Sequence, residues 1–366
     1  MKNQAVPAKS GKRRVLLVLP SLGAGGAERV ISFVAQHLNR EKFDVQLLVA
    51  ESEKENKFQI NGVDTVYLNK ARVSRAIPGI INQIRSFKPD VVLGAIEHLN
   101  AVLGIISILF PRTKFIGREV NVMSVLMTVA KGKKSRLAPH IYSFSYKKLD
   151  GIICQSEDMR KDFERRFPFA KDKIVTINNP ITIPQPHSGE ALGNKEEFKF
   201  ITVGRLAKQK GHLRILEALS ATDIPFRYTI IGDGPEKKAI FKRIKQLNLE
   251  GKVTHIPFSS QVPELLAQND LFLQGSYVEG FPNALLESCA MGTPVLAFKA
   301  PGGIDEIIQP GINGDMAEDI EDFTRKIANL TQEIQQWHRS DVSNSVYSRY
   351  SQEIILSAYE ELFLSW

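Results

Sequence analysis

The sequence predicts an α/β protein built from two doubly wound parallel-sheet domains that face a central cleft. Three observations carry this. Short continuous apolar runs alternate with segments of helical periodicity from Val15 onward. The alternation breaks at Asn179-Pro180-Ile181-Thr182-Ile183-Pro184-Gln185-Pro186 and then restarts. The chain has 366 residues, long for a single hydrophobic core. Strands joined by crossover helices, in two domains, satisfy all three.

In chain order, Val15–Leu19 reads as a central strand because it is apolar without interruption. A glycine-rich turn follows, then a helix from Ala27 to about Leu38. Val45–Ala50, Val91–Ala95, Phe115–Gly117 and Gly151–Cys154 read as further strands. Helices around Ile77–Phe87, Ala101–Leu109 and Arg136–Leu149 lie between them. Ser156 is the expected N-cap of a helix Glu157–Arg166, with Asp158 in the first turn where the helix dipole favours an acid. Three prolines within residues 180–186 make a stiff, extended linker, so the first domain is expected over 1–180 and the second over 181–349. The second begins with strand Phe200–Val203, helix His212–Leu219, strand Tyr228–Ile231 and helix Glu236–Leu247. Val253–Pro257, Leu271–Gln274 and Pro294–Phe298 are its later strands, and Ile320–Trp366 reads as helices only. Ligands of such sheets bind at the carboxyl ends of the strands, which places the site in the cleft.

Composition narrows the classes. Apolar content of 43% and charged content of 24% are ordinary for a soluble globular protein. The longest apolar run, Ala101–Phe110, contains Ser107 and is shorter than the ~18 residues a membrane-spanning helix needs. Val15–Leu19 is too short for a signal-peptide core, so a cytoplasmic location is expected. Cys154 and Cys289 follow apolar residues and read as buried free thiols. Charge is uneven: residues 1–180 hold 30 Lys and Arg against 16 Asp and Glu, whereas residues 181–366 hold 18 against 24. Arg112–Lys148 alone carries nine basic residues and one acid, Glu119. The first half is therefore expected to meet something anionic. Nucleic acid is not the expected partner, because the basic half lacks interleaved aromatics and any helix-turn-helix or RNP pattern.

Four motifs carry chemistry. Gly23-Ala24-Gly25-Gly26-Ala27-Glu28 follows the first strand, and its glycines let the backbone approach a ligand at a helix start. A dinucleotide fingerprint needs Gly where Glu28 stands, which argues against NAD. Gly204-Arg205-Leu206-Ala207-Lys208-Gln209-Lys210-Gly211 follows the first strand of the second domain and offers Arg205 and Lys210 to one anion. Gly232-Asp233-Gly234-Pro235 reads as a turn opening a helix. In Glu279-Gly280-Phe281-Pro282-Asn283-Ala284-Leu285-Leu286-Glu287, two carboxylates flank the N-terminus of a helix. Helix-start amides attract oxyanions and carboxylates accept hydrogen bonds from hydroxyls, so this segment suits a ligand with both phosphates and sugar hydroxyls. In the first half, Glu97 and His98 lie just past a strand end as candidate bases. The sequence has no metal-ligand spacing of His, Cys or paired acids.

In their order and spacing these motifs, with Pro301-Gly302-Gly303-Ile304-Asp305-Glu306 and Gly311-Ile312-Asn313-Gly314, resemble the family 4 retaining glycosyltransferases of bacterial glycan assembly. The resemblance covers nearly the whole chain and implies the GT-B architecture, two Rossmann-like domains around a cleft. It implies a metal-independent hexosyl- or N-acetylhexosaminyltransferase that takes a nucleotide sugar, most commonly UDP-linked, as substrate and uses no cofactor. Carried over by motif, Arg205 and Lys210 would hold the donor diphosphate, Glu279 the sugar hydroxyls and Glu287 the ribose hydroxyls. Gly204 and the backbone of Phe281, Pro282, Asn283 and Ala284 would line the donor site, and Gly25 and Gly26 would approach the diphosphate. The last helix, about 350–366, would cross back to the first domain. A nucleotide-sugar epimerase or hydrolase of the same shape is the alternative, although an epimerase would not need the Arg205/Lys210 loop beside the glutamate pair.

The acceptor is expected on the basic half, near His98, Arg118, Lys131, Lys133 and Lys134. Apolar Val120–Val129 precedes the lysines directly, a pattern that fits a segment lying on an anionic membrane or gripping a lipid-linked pyrophosphate. The expected reaction therefore extends a polyprenyl diphosphate-linked or polysaccharide acceptor, with the enzyme peripheral on the cytoplasmic face of a membrane.

Overall fold

The computed structural model describes residues 11–23, 25–56, 59–125, 138–184, 196–333 and 337–366. Lys131, Lys133 and Lys134 lie outside them. Seven strands form the first sheet: β1 (Arg13–Leu19), β2 (Phe43–Val49), β3 (Asp64–Tyr67), β4 (Val91–Ala95), β5 (Lys114–Arg118), β6 (Gly151–Cys154) and β7 (Ile174–Thr176). Six form the second: β8 (Phe198–Val203), β9 (Phe226–Ile231), β10 (Val253–Ile256), β11 (Leu271–Gln274), β12 (Val295–Phe298) and β13 (Gly314–Ala317). Their orders are β3-β2-β1-β4-β5-β6-β7 and β10-β9-β8-β11-β12-β13. Every pairing is parallel, as in Val15 opposite Val45 and Val91. Both sheets therefore have a switch point, between β1 and β4 and between β8 and β11, where crossovers diverge and a crevice opens.

Strand β1 shows why the apolar runs are continuous. Val15, Leu17 and Leu19 join one core cluster while Leu16 and Val18 join another, so both faces of the strand are buried under helices. The helix Gln352–Leu364 contributes Ile355, Tyr359 and Phe363 to the first of these clusters, a spacing that keeps one helical stripe on the sheet. The chain end thus packs on the first sheet. It gets there at Ser351, which ends the helix Arg339–Tyr350 and caps the next one, its Oγ accepting from Ile354 N at 3.5 Å. The two passages between sheets run side by side: Ile181 N donates to Tyr350 O at 2.9 Å.

Ser156 caps the helix Glu157–Arg166, its side chain accepting from Met159 N at 3.3 Å. Cys154 and Cys289 are buried free thiols. Strands β3, β7 and β13 are additional to those legible in the sequence, and all three are sheet edges. No described helix is long and apolar enough to cross a membrane.

Candidate active site

The cleft residues come from the carboxyl ends of β8 and β11 on one side and of β1, β4 and β5 on the other. After β8 the chain turns through Gly204 and the exposed Arg205, then a short 3-10 turn Lys208–Lys210 ends at Gly211. Gly211 adopts φ +59°, and a Cβ there would lie 1.7 Å from Gly275 O. Glycine is therefore obligatory for the loop to reach the end of β11. The Gly232–Pro235 turn braces the same loop, with Leu206 N donating to Asp233 O at 3.0 Å and Glu236 N to Leu206 O at 2.9 Å.

Lys210 Nζ lies 2.6 and 2.9 Å from the two oxygens of Glu279. Glu279 is buried, and its Oε1 also accepts from Gln274 Nε2 at 2.8 Å and Ser276 Oγ at 2.5 Å. The structure thus brings together the lysine and the first glutamate of the two motifs, and fixes the carboxylate with two further donors. Arg205 is exposed, and among the described residues no bond joins its side chain to this network. Pro282 is the N-cap residue and the helix runs Asn283–Ala290, so the proline sits one residue before the first turn. The ring of Phe281 is buried against Tyr350, 5.2 Å between centroids, which leaves only its backbone for a ligand. The amides of Asn283 and Ala284 begin the helix, where N–H groups have no intrahelical acceptor.

Glu287 is 4% exposed on that helix. Burial pushes its carboxyl above the usual range, opposed by Arg29, whose Nη2 donates to its Oε1. Arg29 belongs to the helix Gly26–His37 of the first sheet, so the ion pair crosses the cleft. Gly25 caps that helix and Gly26 opens it, with Asn283 Nδ2 reaching Gly26 O at 3.5 Å. The glycine loop and the donor-side helix therefore meet, as the motifs imply. Arg29 is a site residue that motif reading passed over, although it directly follows the Gly23–Glu28 stretch.

On the first sheet the predicted residues divide. His98 is exposed at the start of the helix Glu97–Ile106, directly after Ile96, whose φ of +81° is strained for a β-branched residue at this end of β4. Glu97 is paired with Arg166 at 3.3 Å. Arg118, expected on the acceptor side, is fully buried. Its Nε donates to Tyr359 Oη at 3.0 Å and its Nη2 to Asn179 Oδ1. Its guanidinium is turned into the hinge, because β5 ends beneath the returning helix. Asn179 in turn donates to Asn283 Oδ1 at 2.6 Å. Glu119, the next residue, is 2% exposed and accepts from Tyr146 Oη at 2.5 Å and Asn100 Nδ2 at 2.8 Å. Desolvation pushes it up to about 7, with those hydrogen bonds pulling the other way.

The two halves match two sequence families. Residues 24–183 match the Glycosyltransferase Family 4 profile and residues 186–342 the Glycosyl transferases group 1 profile. The chain belongs to the family 4 glycosyltransferases. It is a glycosyltransferase of the GT-B fold. Relatives within the curated proteins are distant. An uncharacterized glycosyltransferase of Methanocaldococcus jannaschii is 28% identical over 253 residues, spanning 64% of this chain and 61% of that protein. The N-acetylgalactosamine-N,N'-diacetylbacillosaminyl-diphospho-undecaprenol 4-alpha-N-acetylgalactosaminyltransferase of Campylobacter jejuni is 25% identical over 300 residues, covering 78% and 81% of the two chains. The lipopolysaccharide 1,6-galactosyltransferase of Escherichia coli is 25% identical over 330 residues, 80% and 81%. Among solved structures, Anabaena HepE in complex with UDP-glucose superposes with a TM-score of 0.78 at 18% identity, over 96% of this chain and all of that one. This likeness establishes the fold of the family 4 enzyme described here.

Proposed function

We propose that this family 4 enzyme moves a sugar from a UDP-linked donor to a polyprenyl diphosphate-linked glycan, retaining the anomeric configuration and using no metal. The observation that carries the reading is the Lys210–Glu279 pair beside the helix start at Asn283, opposite the Gly25/Gly26 loop. A cation fixed by a buried carboxylate, with helix-start amides alongside, is a preorganised cradle for a departing diphosphate. Arg205, which is exposed, supplies the second charge when the donor enters. Glu279 keeps acceptor capacity for sugar hydroxyls, and Glu287 would accept from the ribose hydroxyls. As the sugar–phosphate bond breaks, its electron pair goes to the leaving phosphate oxygen. The acceptor hydroxyl attacks the same face of the anomeric carbon and gives its proton to that oxygen, so no protein base is needed. Supporting the donor and acceptor classes, HepE structures hold UDP and UDP-glucose, and the Campylobacter relative is named for an undecaprenol diphosphate substrate.

Thermal unfolding against UDP, GDP, ADP and UDP-sugars, with and without EDTA, tests the donor. A rise of the midpoint with UDP that survives EDTA is expected. No rise with any nucleotide overturns the donor site. Lys210→Ala and Arg205→Ala should each lower turnover by about 10²-fold through lost leaving-group stabilisation. Free sugar or an isomer as the only product would turn the assignment to the hydrolase or epimerase.

A further inference from the structure

The motif Pro301-Gly302-Gly303-Ile304-Asp305-Glu306 takes no part in the proposed chemistry, yet it touches both domains. Its first residues lie against the loop that carries Glu279. Glu279 N donates to Pro301 O at 2.9 Å. Gly302 adopts φ +104°, and a Cβ there would lie 1.9 Å from Glu279 O, so only glycine admits this approach. The last residue of the motif reaches the first domain. Glu306, in the short helix Ile304–Ile307, accepts through Oε1 from Glu157 N at 2.6 Å and through Oε2 from Asn178 Nδ2 at 2.9 Å. Glu157 opens the helix Glu157–Arg166, and Asn178 lies in the passage between the sheets. The contact is reciprocal: Asp158 Oδ2, on that helix, accepts from Gly302 N at 3.0 Å. Glu306 O accepts from Tyr350 Oη at 2.8 Å and Arg349 Nη1 at 2.5 Å, so both passages between the sheets meet at this residue.

We infer that this motif is a clasp between the domains, with Glu306 and Asp158 as positioning residues that act on transfer through the Glu279 loop. Each carboxylate takes a backbone N–H of the opposite domain, and such bonds are stronger than those between neutral groups. Glu306 also stands at a helix start, where N–H groups lack intrahelical acceptors and the dipole favours an anion. Ser156 takes Met159 N from inside the first domain, and Glu306 takes Glu157 N from across the seam. The Glu279 side chain is held by Lys210, Gln274 and Ser276, all of its own domain. Its place relative to the first domain, where the acceptor is expected, depends on contacts that cross the seam. The clasp supplies them one hydrogen bond away from the Glu279 backbone. Loosening it should therefore slow transfer while leaving the nucleotide's own contacts in the second domain intact. The inference rests on the proposed transfer for its kinetic arm only.

Spin labels on Ser74→Cys and Lys238→Cys, exposed positions in opposite domains, test the clasp in the protein without nucleotide, since both native thiols are buried. The labelled parent should give one narrow distance distribution. Glu306→Ala/Asp158→Ala should broaden it. Glu306→Gln, whose amide oxygen can still accept from Glu157 N, should keep it narrow. In the unlabelled protein, Glu306→Ala should lower kcat about tenfold with UDP affinity within about twofold of wild type, and Glu306→Gln should recover most of that kcat. Asp158→Ala alone should change both readouts in the same direction, and it serves if the double variant does not fold. An unchanged distribution in the alanine variants would overturn the clasp. A broadened distribution with wild-type kcat would overturn the positioning role, and so would a loss of kcat matched by an equal loss of UDP affinity. A wild type that neither binds UDP nor transfers sugar would sink the proposed function, while the distance distributions would still decide the clasp.

Discussion

Arg29 and Glu287 belong to opposite domains, and a nucleotide that takes the Glu287 oxygen held by Arg29 must displace that side chain. Ribose hydroxyls would then replace a cation on a buried acid, so donor binding and the cross-cleft bond compete. Arg29→Ala leaves Glu287 buried without its partner, which should lower the unfolding midpoint of the free protein. It should also tighten UDP binding about threefold to tenfold in calorimetry, because no ion pair has to break. Weaker UDP binding would show instead that Arg29 serves the nucleotide directly. Titration separates two other buried groups. Glu119 is held at about 7 against an ordinary 4.5. Between these values the folded protein keeps a proton that the unfolded chain has lost, so raising the pH through this window weakens folding. His212 is held down to about 4 by burial, and there the unfolded chain gains a proton first, so acidification weakens folding. The two trends oppose each other in the wild type and mask one another. Comparing Glu119→Gln with wild type removes the His212 contribution. The stability difference in urea should move in favour of the variant from pH 5 to pH 7, by up to ~1.4 kcal/mol per pH unit. A difference independent of pH would mean that Glu119 is ionised throughout.

At the scale of elements, the loop after β8 is the most constrained piece of the donor side. Gly211→Ala places a methyl group against Gly275 O while holding a left-handed backbone, and should cost ~3 kcal/mol or more in chemical unfolding. A variant with wild-type stability would mean that the loop relaxes without the β11 contact. The glycine itself was legible in the sequence as part of a cation-bearing turn, and so was a helix opening between Glu279 and Glu287, because Gly and Pro mark chain reversals locally; its first residue was not, since Pro282, read as an early helical position, is the N-cap. The strands in sheet interiors were legible too, since burial on both faces demands an unbroken apolar run such as Leu271–Gln274. Strands β3, β7 and β13 were not. Each has a single neighbour in its sheet, and β3 (Asp64-Thr65-Val66-Tyr67) has no fully buried residue, so neither run nor strict alternation is required of it.

The whole molecule is held at a hinge that sequence reading could not assemble, because its members are remote along the chain. Arg118 at the end of β5 spans Asn179 in the passage between domains and Tyr359 in the returning helix. Asn179 carries the contact on to Asn283 and to Phe281 O at 3.5 Å. Asn283 reaches the glycine loop at Gly26. A single polar chain therefore links the first sheet, the hinge, the donor helix and the loop that faces it. It explains why a fully buried arginine persists: Nη1 has no partner among the described residues, so the remaining bonds must hold the charge. Removing Asn179 tests the linkage at this scale. Asn179→Ala should cost ~2–4 kcal/mol by stripping a bond from a buried guanidinium, and should lower kcat by loosening the approach of the two halves. Stability alone would not separate a coupling role from a packing role. Asn179→Asp does so, because its carboxylate still accepts from Arg118 but can no longer donate to Asn283. Recovered stability with kcat still about tenfold down, and UDP affinity near wild type, is the expected signature of a hinge that positions the donor helix. Full recovery of kcat in the aspartate variant would reduce Asn179 to a counter-group for Arg118 and leave closure to the Arg29–Glu287 bond.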